Sequence, residues 1–324
     1  MMLGQKSLRC LAGIAALLFS IQFASAQERV YRVGVILHGG PWYTIVDGLR
    51  DGLKDLLEGN KLILDVRDIR GDPKAAAHAA RDLERRKVAL IFTVATSISL
   101  AAKSATKDAP IVFAAGTDPV AVKLVESIRA PGGRVTGVHF RATGIVGKRL
   151  ELLREIVPKL RRVVIFYNPA NRSAIEATRE ARQAAQQLQV ELVERLVNST
   201  EELRQSLKAL PSGDSDAYLN VGDAMVDSEA DAIISAANAR KLPTMFHQQG
   251  VVERGALASY SADFNEVGRV AARFVRRVLS GARPADLPVE AMDKFLFAIN
   301  LKTAKKIGLS IPESLLVRAD KVFE

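Results

Sequence analysis

From Tyr31 to Phe140 the sequence switches repeatedly between two hydrophobic periods, and few folds accommodate that pattern. "YRVGVIL" (31–37) is apolar and β-branched, as a buried strand requires. The next segment carries Val46, Leu49, Leu53, Leu56 and Leu57 at helical spacing and stops at Gly59-Asn60. "LILDVR" follows, then "DPKAAAHAARDLERRK", a helix with Asp72 as its cap and Pro73 at its first position. "VALIFTV" reads as a strand, "SISLAAKSATK" as a helix, "PIVFAA" as a strand, "DPVAVKLVESIR" as a helix and "RVTGVHF" as a strand.

The pattern then restarts. A helix is expected over 145–157, the strand "RVVIFY", and the helix "RSAIEATREARQAAQQL". "VELVERL", "AYLNV", "PTMF" and "ALASY" are further strands, with helices before all but the last. A helix over 265–279, the strand-like "FLFAIN" and the short helix "LKTAKKIGL" end the chain.

Apolar strands alternating with helices imply parallel sheets covered on both faces. Two such runs imply an α/β chain of two Rossmann-like lobes rather than one wide sheet. The expected passages between lobes lie near Phe140–Gly144, near Ser261–Asn265, and in or just after the Pro-rich "SGARPADLP". The expected first lobe is 27–140 with 263–293, and the second is 141–262 with 294–324, joined by a three-segment hinge. Parallel sheets bind ligands beyond the carboxyl ends of their strands, so facing lobes enclose a cleft.

The first residues are expected to stand outside this fold. Lys6 and Arg9 precede the apolar "LAGIAALLFSIQFA", and Ala24-Ser25-Ala26 is a small-residue cleavage site. This is the pattern of a secretory signal peptide cut after Ala26, with a periplasmic destination. Cys10, the one cysteine, leaves with it, so no disulfide, thiolate metal site or cysteine nucleophile is expected. The formal charge of +10 comes from basic residues mixed with acids on helix faces, as in "RDLERRK". That mixing indicates solvated faces and no nucleic-acid partner.

Enzyme signatures are missing. No serine sits in G-x-S-x-G, and no G-x-G-x-x-G occurs. "ATGIVGKR" lacks the first glycine of a phosphate loop and has Arg149 where Ser or Thr belongs. His38, His78, His139 and His247 lack metal-ligand spacing, so neither a metal nor a cofactor is expected.

What remains is a set of polar residues at strand ends. In "HGGPWY", His38 and Gly39 offer polar groups and close backbone approach, and Trp42 either stacks on a ligand or packs on the sheet. In "VATSIS", Thr96 and Ser97 at a helix start suit a carboxylate or serve as the cap. In "VFAAGTDPV", Ala115 and Thr117 form a small-residue floor, and Asp118 before Pro119 is first a helix cap. Opposite them, Asn168 and Asn171 of "YNPANRS" either bond a ligand or mark a turn. Asp223 of "LNVGDAM" suits a ligand ammonium or a helix cap. His247 of "FHQQG" and Tyr260 of "SYSAD" add side walls.

These residues resemble a family. "PIVFAAGTDPVAVKLVESIRAPGGRVTGV", "IFYNPANRSA", "GALASYSADFNEVGRVAA" and "INLKTAKKIGLSIP" are similar to periplasmic substrate-binding proteins of ABC transporters with the type I fold. The nearest resemblance is to the subgroup with tryptophan- and other aromatic-amino-acid-binding components, whose usual form has Asn at the position of Arg134. "HGGPW" departs from the loop of its tryptophan-binding members. The resemblance implies a monomeric, non-enzymatic receptor that closes on a small solute and delivers it to a permease and ATPase in the inner membrane. It also implies that Thr96, Ser97, Ala115 and Thr117 hold a carboxylate and Asp223 an ammonium. A sensor module that presents its ligand to a membrane receptor, and an exported hydrolase on the same frame, are the alternatives.

Overall fold

In this computed structural model, residues 30–324 are described except 60, 71 and 212. The signal peptide, Cys10 and Asn60 lie outside the described residues. β1 (Tyr31–Leu37) is followed by a single 3₁₀ turn, then α1 (Tyr43–Gly52), α2 (Lys54–Glu58), β2 (Leu62–Asp68), α3 (Pro73–Arg85), β3 (Leu90–Val94), α4 (Thr96–Ala105), β4 (Ile111–Ala115) and β5 (Val135–His139). The chain continues through α5 (Val146–Ile156), β6 (Arg162–Tyr167), α6 (Arg172–Leu188), β7 (Glu191–Leu196), α7 (Thr200–Ala209), β8 (Ala217–Leu219), α8 (Ala224–Asp227), α9 (Ala230–Ala239), β9 (Thr244–Phe246), α10 (Gly250–Glu253) and β10 (Ala258–Ala262). It ends with α11 (Phe264–Leu279), β11 (Glu290–Ala291), β12 (Phe295–Asn300), α12 (Leu301–Ile307), α13 (Glu313–Arg318) and β13 (Lys321–Phe323).

The strands form two sheets. The first runs β11-β5-β4-β3-β1-β2 and the second β13-β12-β10-β9-β8-β6-β7. Every pair is parallel except β10 with β12. Side chains alternate across each sheet, so each has a core on both faces. Val33, Val35, Phe92 and Val112 pack on one side of the first sheet, and Ile36, Ile91, Ile111 and Phe113 on the other. In the second sheet, Val163, Ile165 and Leu219 oppose Val164, Phe166 and Tyr218.

α11 returns from the second sheet to cover the first. Glycines allow it to lie directly on α1. A Cβ at Gly48 would stand 1.9 Å from the Asn265 carbonyl oxygen, and one at Gly268 2.1 Å from that of Ile45. Backbone thus meets backbone at a distance no side chain permits.

Three expectations about elements are corrected, the first being that the elements do not end at α12 but continue through α13 and β13. "DPVAVKLVESIR" forms turns, not a helix. Asp118 Oδ1 accepts the Val120 and Ala121 amides, and the Pro119 carbonyl accepts those of Leu124 and Val125. Lys123 adopts φ 60°, and Lys103 Nζ donates to the carbonyls of Lys123 and Leu124. Val122, Leu124 and Val125 are buried, so tertiary packing outweighs helix propensity. Conversely, the one-turn helix α10 stands before β10, where none was expected.

Candidate ligand-binding cleft

Each sheet reverses its strand order once, between β1 and β3 in the first and between β6 and β8 in the second. A crevice opens beyond the carboxyl ends of the strands at such a point. In the first sheet it holds His38, after β1, and Ser97, after β3; His38 Nε2 and Ser97 Oγ lie 3.2 Å apart. In the second it holds Asn168, after β6, and Asp223, after β8; the Asn168 amide donates to Asp223 Oδ2 at 2.9 Å. The two pairs line one cavity of about 270 Å³, with Leu100, Ala170, Asn171, Arg172 and Met225.

A second, smaller cavity adjoins it, with about 20 Å³ of space, room for about one water. Trp42, Ala95, Thr96, Gly116, Phe140 and Thr143 line it from the first sheet's side and Ser173, Gly222 and His247 from the other. Ser97 and Asn171 line both cavities. The walls touch each other directly. Thr117 Oγ1 and Ser173 Oγ share a hydrogen bond, and the Trp42 ring lies 5.8 Å from that of His247.

Trp42 also stacks on Phe264 at 5.5 Å and lies 6.1 Å from Phe140. This aromatic wall gives Trp42 the packing role its sequence context allowed, and the residue also lines the smaller cavity. Its Nε1 is buried without a hydrogen-bond partner among the described residues. α4 begins at an unusual residue, since Ala95 adopts φ 94°, ψ 146°, a region nearly reserved for glycine. No side chain caps the first amides of α4; the Thr96 hydroxyl accepts the Thr117 amide at 3.2 Å instead. The capping reading of Thr96 and Ser97 therefore does not hold.

The buried charges need partners. Asp223 caps α8, its Oδ1 accepting the Met225 and Val226 amides at 2.9 and 3.2 Å. Its Oδ2 accepts the Asn168 amide and Asn171 Nδ2. Burial outweighs those donors and pushes its carboxyl up to about 6. Asp227, at the end of α8, accepts Asn220 Nδ2 at 2.8 Å and faces His247 Nε2 at 2.8 Å. Burial holds the His38 imidazole neutral, its pKa lowered to about 4 despite Asp227, Asp68 and Asp72. His38 bonds a serine, but its Nδ1 has no partner among the described residues, so a Ser-His-acid relay is not assembled.

Of the expected binding residues, His38, Trp42, Thr96, Ser97, Asn168, Asn171, Asp223 and His247 line these two cavities. Gly39, Ala115, Thr117, Asp118 and Tyr260 do not. The Ala115 methyl belongs to the core on the far face of the sheet, and Asp118 is spent on its turn. Thr117 sits beside the cavity, held to Thr96 and Ser173. The Tyr260 ring stacks on Phe295 at 5.7 Å while its carbonyl takes a hydrogen bond from Arg149. Gly39 packs against the Asp68 carboxylate. Sequence reasoning missed Phe140, Thr143, Ser173 and Asp227. Ser173 was the most accessible, being in the first turn of a helix whose Asn171 cap was already a candidate.

Comparison with known proteins agrees with this architecture. Residues 31–323 match the profile of the family described as ABC transporter substrate binding protein. A tyrosine-binding protein of Clostridioides difficile (strain R20291) is 28% identical over 256 residues, covering 79% of this chain and 73% of that protein. A conserved domain protein of Vibrio cholerae has a crystal structure with a TM-score of 0.83 and 31% identity, covering 91% of this chain and 100% of that one. An ABC domain from Streptococcus pneumonia, crystallised with L-Trp, has a TM-score of 0.81 and 28% identity over 91% of this chain and 100% of that one. With two parallel-dominated sheets meeting at a shared cleft, the chain belongs to the ABC transporter substrate-binding protein family and has its type I fold.

Proposed function

We propose that this protein is the periplasmic receptor of an ABC importer, capturing a small solute between its lobes and delivering it to a permease and ATPase in the inner membrane. The solute is an amino acid or a related small polar or aromatic compound. The observation that carries this reading is the cavity where the strand-order reversals of both sheets meet, lined by His38 and Ser97 from one and Asn168 and Asp223 from the other. A ligand touching both walls favours the closed state by its differential affinity. The tyrosine-binding relative and the L-Trp complex support an aromatic solute.

In this reading residues 27–140 with 263–293 move against 141–262 with 294–324. The three passages lie between β5 and α5, between β10 and α11, and between β11 and β12. Ser97, which lines both cavities at the amino end of α4, supports a carboxylate contact there, with Thr96 beside it. The family and the unassembled relay at His38 support a receptor rather than a hydrolase. Among the described residues no helix is long and apolar enough to cross a membrane, which accords with an exported receptor. The test is a thermal-shift screen of purified protein against amino acids, organic acids, sugars and polyols, followed by small-angle scattering of each hit. A solute that raises Tm and shrinks the radius of gyration supports the proposal; turnover of the solute refutes it.

A further inference from the structure

The chemistry of the cleft narrows the ligand class, given the receptor reading above. An amino acid brings a carboxylate and an ammonium, and each needs a partner when buried. Among the described residues, Asp223 is the one acid lining the two cavities. A carboxylate offers about four lone-pair sites, and four donors already fill those of Asp223. Asp227, the next acid, is fully buried behind the wall, lines neither cavity and bonds Asn220 and His247. The asparagine oxygens each already accept one amide, Asn168 Oδ1 that of Ala170 and Asn171 Oδ1 that of Ser173, and they offer an ammonium no charge.

Uncommitted donors and positive charge, in contrast, line the same space. Trp42 is 3% exposed, lines the smaller cavity, and holds an indole N–H with no partner among the described residues. Arg172 lines the larger cavity and forms no ion pair with any described acid. The amino ends of α4 and α6 open onto the same space, adding partial positive charge. Apolar surface from Trp42, Phe140, Leu100 and Met225 completes the walls.

We infer that the ligand is an aromatic carboxylate without an α-ammonium, its carboxylate held between the amino ends of α4 and α6 beside Arg172 and its ring against Leu100 and Met225 in the larger cavity. Asp223 is then a structural cap rather than the ammonium partner.

Calorimetry on purified protein with matched triplets tests this. Each triplet holds the ring constant: 3-indolepropionate, L-tryptophan and tryptamine; 3-phenylpropionate, L-phenylalanine and phenethylamine; 4-hydroxyphenylpropionate, L-tyrosine and tyramine. In at least one triplet the acid should bind tenfold or more tightly than the amino acid, with no binding of the amine. Arg172→Gln, at an exposed helix start, should weaken the acid at least threefold with Tm unchanged. An amino acid equal to or tighter than its acid overturns the inference and leaves the receptor reading intact. Failure of every acid also overturns it. The receptor reading falls separately, if amino acids, sugars and polyols fail as well.

Discussion

The guanidinium of Arg149 donates from Nε to the carbonyl of Tyr260 at 2.9 Å. Its Nη2 donates to the Ala142 carbonyl at 2.7 Å. Ala142 lies on the first passage between the sheets and Tyr260 just before the second, so one fully buried side chain ties both. Burial lowers its pKa to about 9, with Asp227 opposing that shift. Arg149→Met strands two carbonyls, each charge-assisted bond being worth about 1.5–3 kcal/mol, while relieving the desolvation of a buried charge. We expect a net loss of about 2–3 kcal/mol in urea unfolding. Arg149→Lys should recover less than half of it, because one ammonium cannot match the two-carbonyl geometry of the fork. Full rescue by lysine would show that charge alone matters.

Thr117 and Ser173 meet across the cleft through their hydroxyls. If the proposed closure between lobes takes place, this bond forms only in the closed state and adds to apparent affinity. One neutral hydrogen bond is worth about 1 kcal/mol, or about fivefold in Kd. Ser173→Ala should therefore weaken ligand about fivefold. In a double-mutant cycle, Thr117→Val should then cost little in the Ser173→Ala background, because Thr117 lines neither cavity. Strict additivity of the two substitutions would sink the latch.

The repeating part of the fold was legible because its signals are local. β1 and β12 fall on their predicted residues, since apolar β-branched runs flanked by polar ones have few other uses. The Asp72 cap with Pro73 behind it also appears as read. The segment after Asp118 misled because its apolar spacing is helical while Lys103, fifteen residues upstream in sequence order from Asp118, supplies the donors that hold its carbonyls in turns. Arg149 read as a spoiled phosphate loop, as its partner Tyr260 is 111 residues away. The site was half legible. Strand ends located His38, Ser97, Asn168 and Asp223, but which candidate acid keeps a free lone pair depends on contacts that no spacing encodes. The antiparallel β12 was likewise invisible, since an apolar strand looks the same in either direction.

His38 and Asp223 pull stability in opposite directions with pH. The imidazole falls from 6.5 to about 4, so between these values the unfolded chain binds the extra proton and stability rises with pH. The Asp223 carboxyl rises from 3.8 to about 6, so the folded chain binds the extra proton and stability falls with rising pH across that window. In the native protein the two contributions largely cancel. His38→Asn should expose the falling slope and Asp223→Asn the rising one, each by up to about 1.4 kcal/mol per pH unit. Urea midpoints of the three proteins at steps through the window check this. Parallel curves would mean that neither group titrates as its burial dictates.

Gly48 and Gly268 provide the sharpest test of how the first lobe is built. In a helix interior, Gly→Ala ordinarily gains about 1 kcal/mol from propensity. Here each new methyl would meet a carbonyl oxygen, 1.9 Å away at position 48 and 2.1 Å away at 268. Backbone cannot swing aside as a side chain does, so α11 must lift from α1 and separate the apolar surfaces between them. Overpacking of that kind costs about 1–3 kcal/mol where side chains can yield, and a rigid contact lies at or beyond the upper end. Gly48→Ala and Gly268→Ala should each lose about 3 kcal/mol or more in chemical denaturation. Gly147→Ala in α5 is the control, because its methyl would rest 3.5 Å from Ala184 Cβ in ordinary contact. That variant should gain up to about 1 kcal/mol. If all three alanines behave alike, α1 and α11 are not in backbone contact, and the covering of the first sheet must be redrawn.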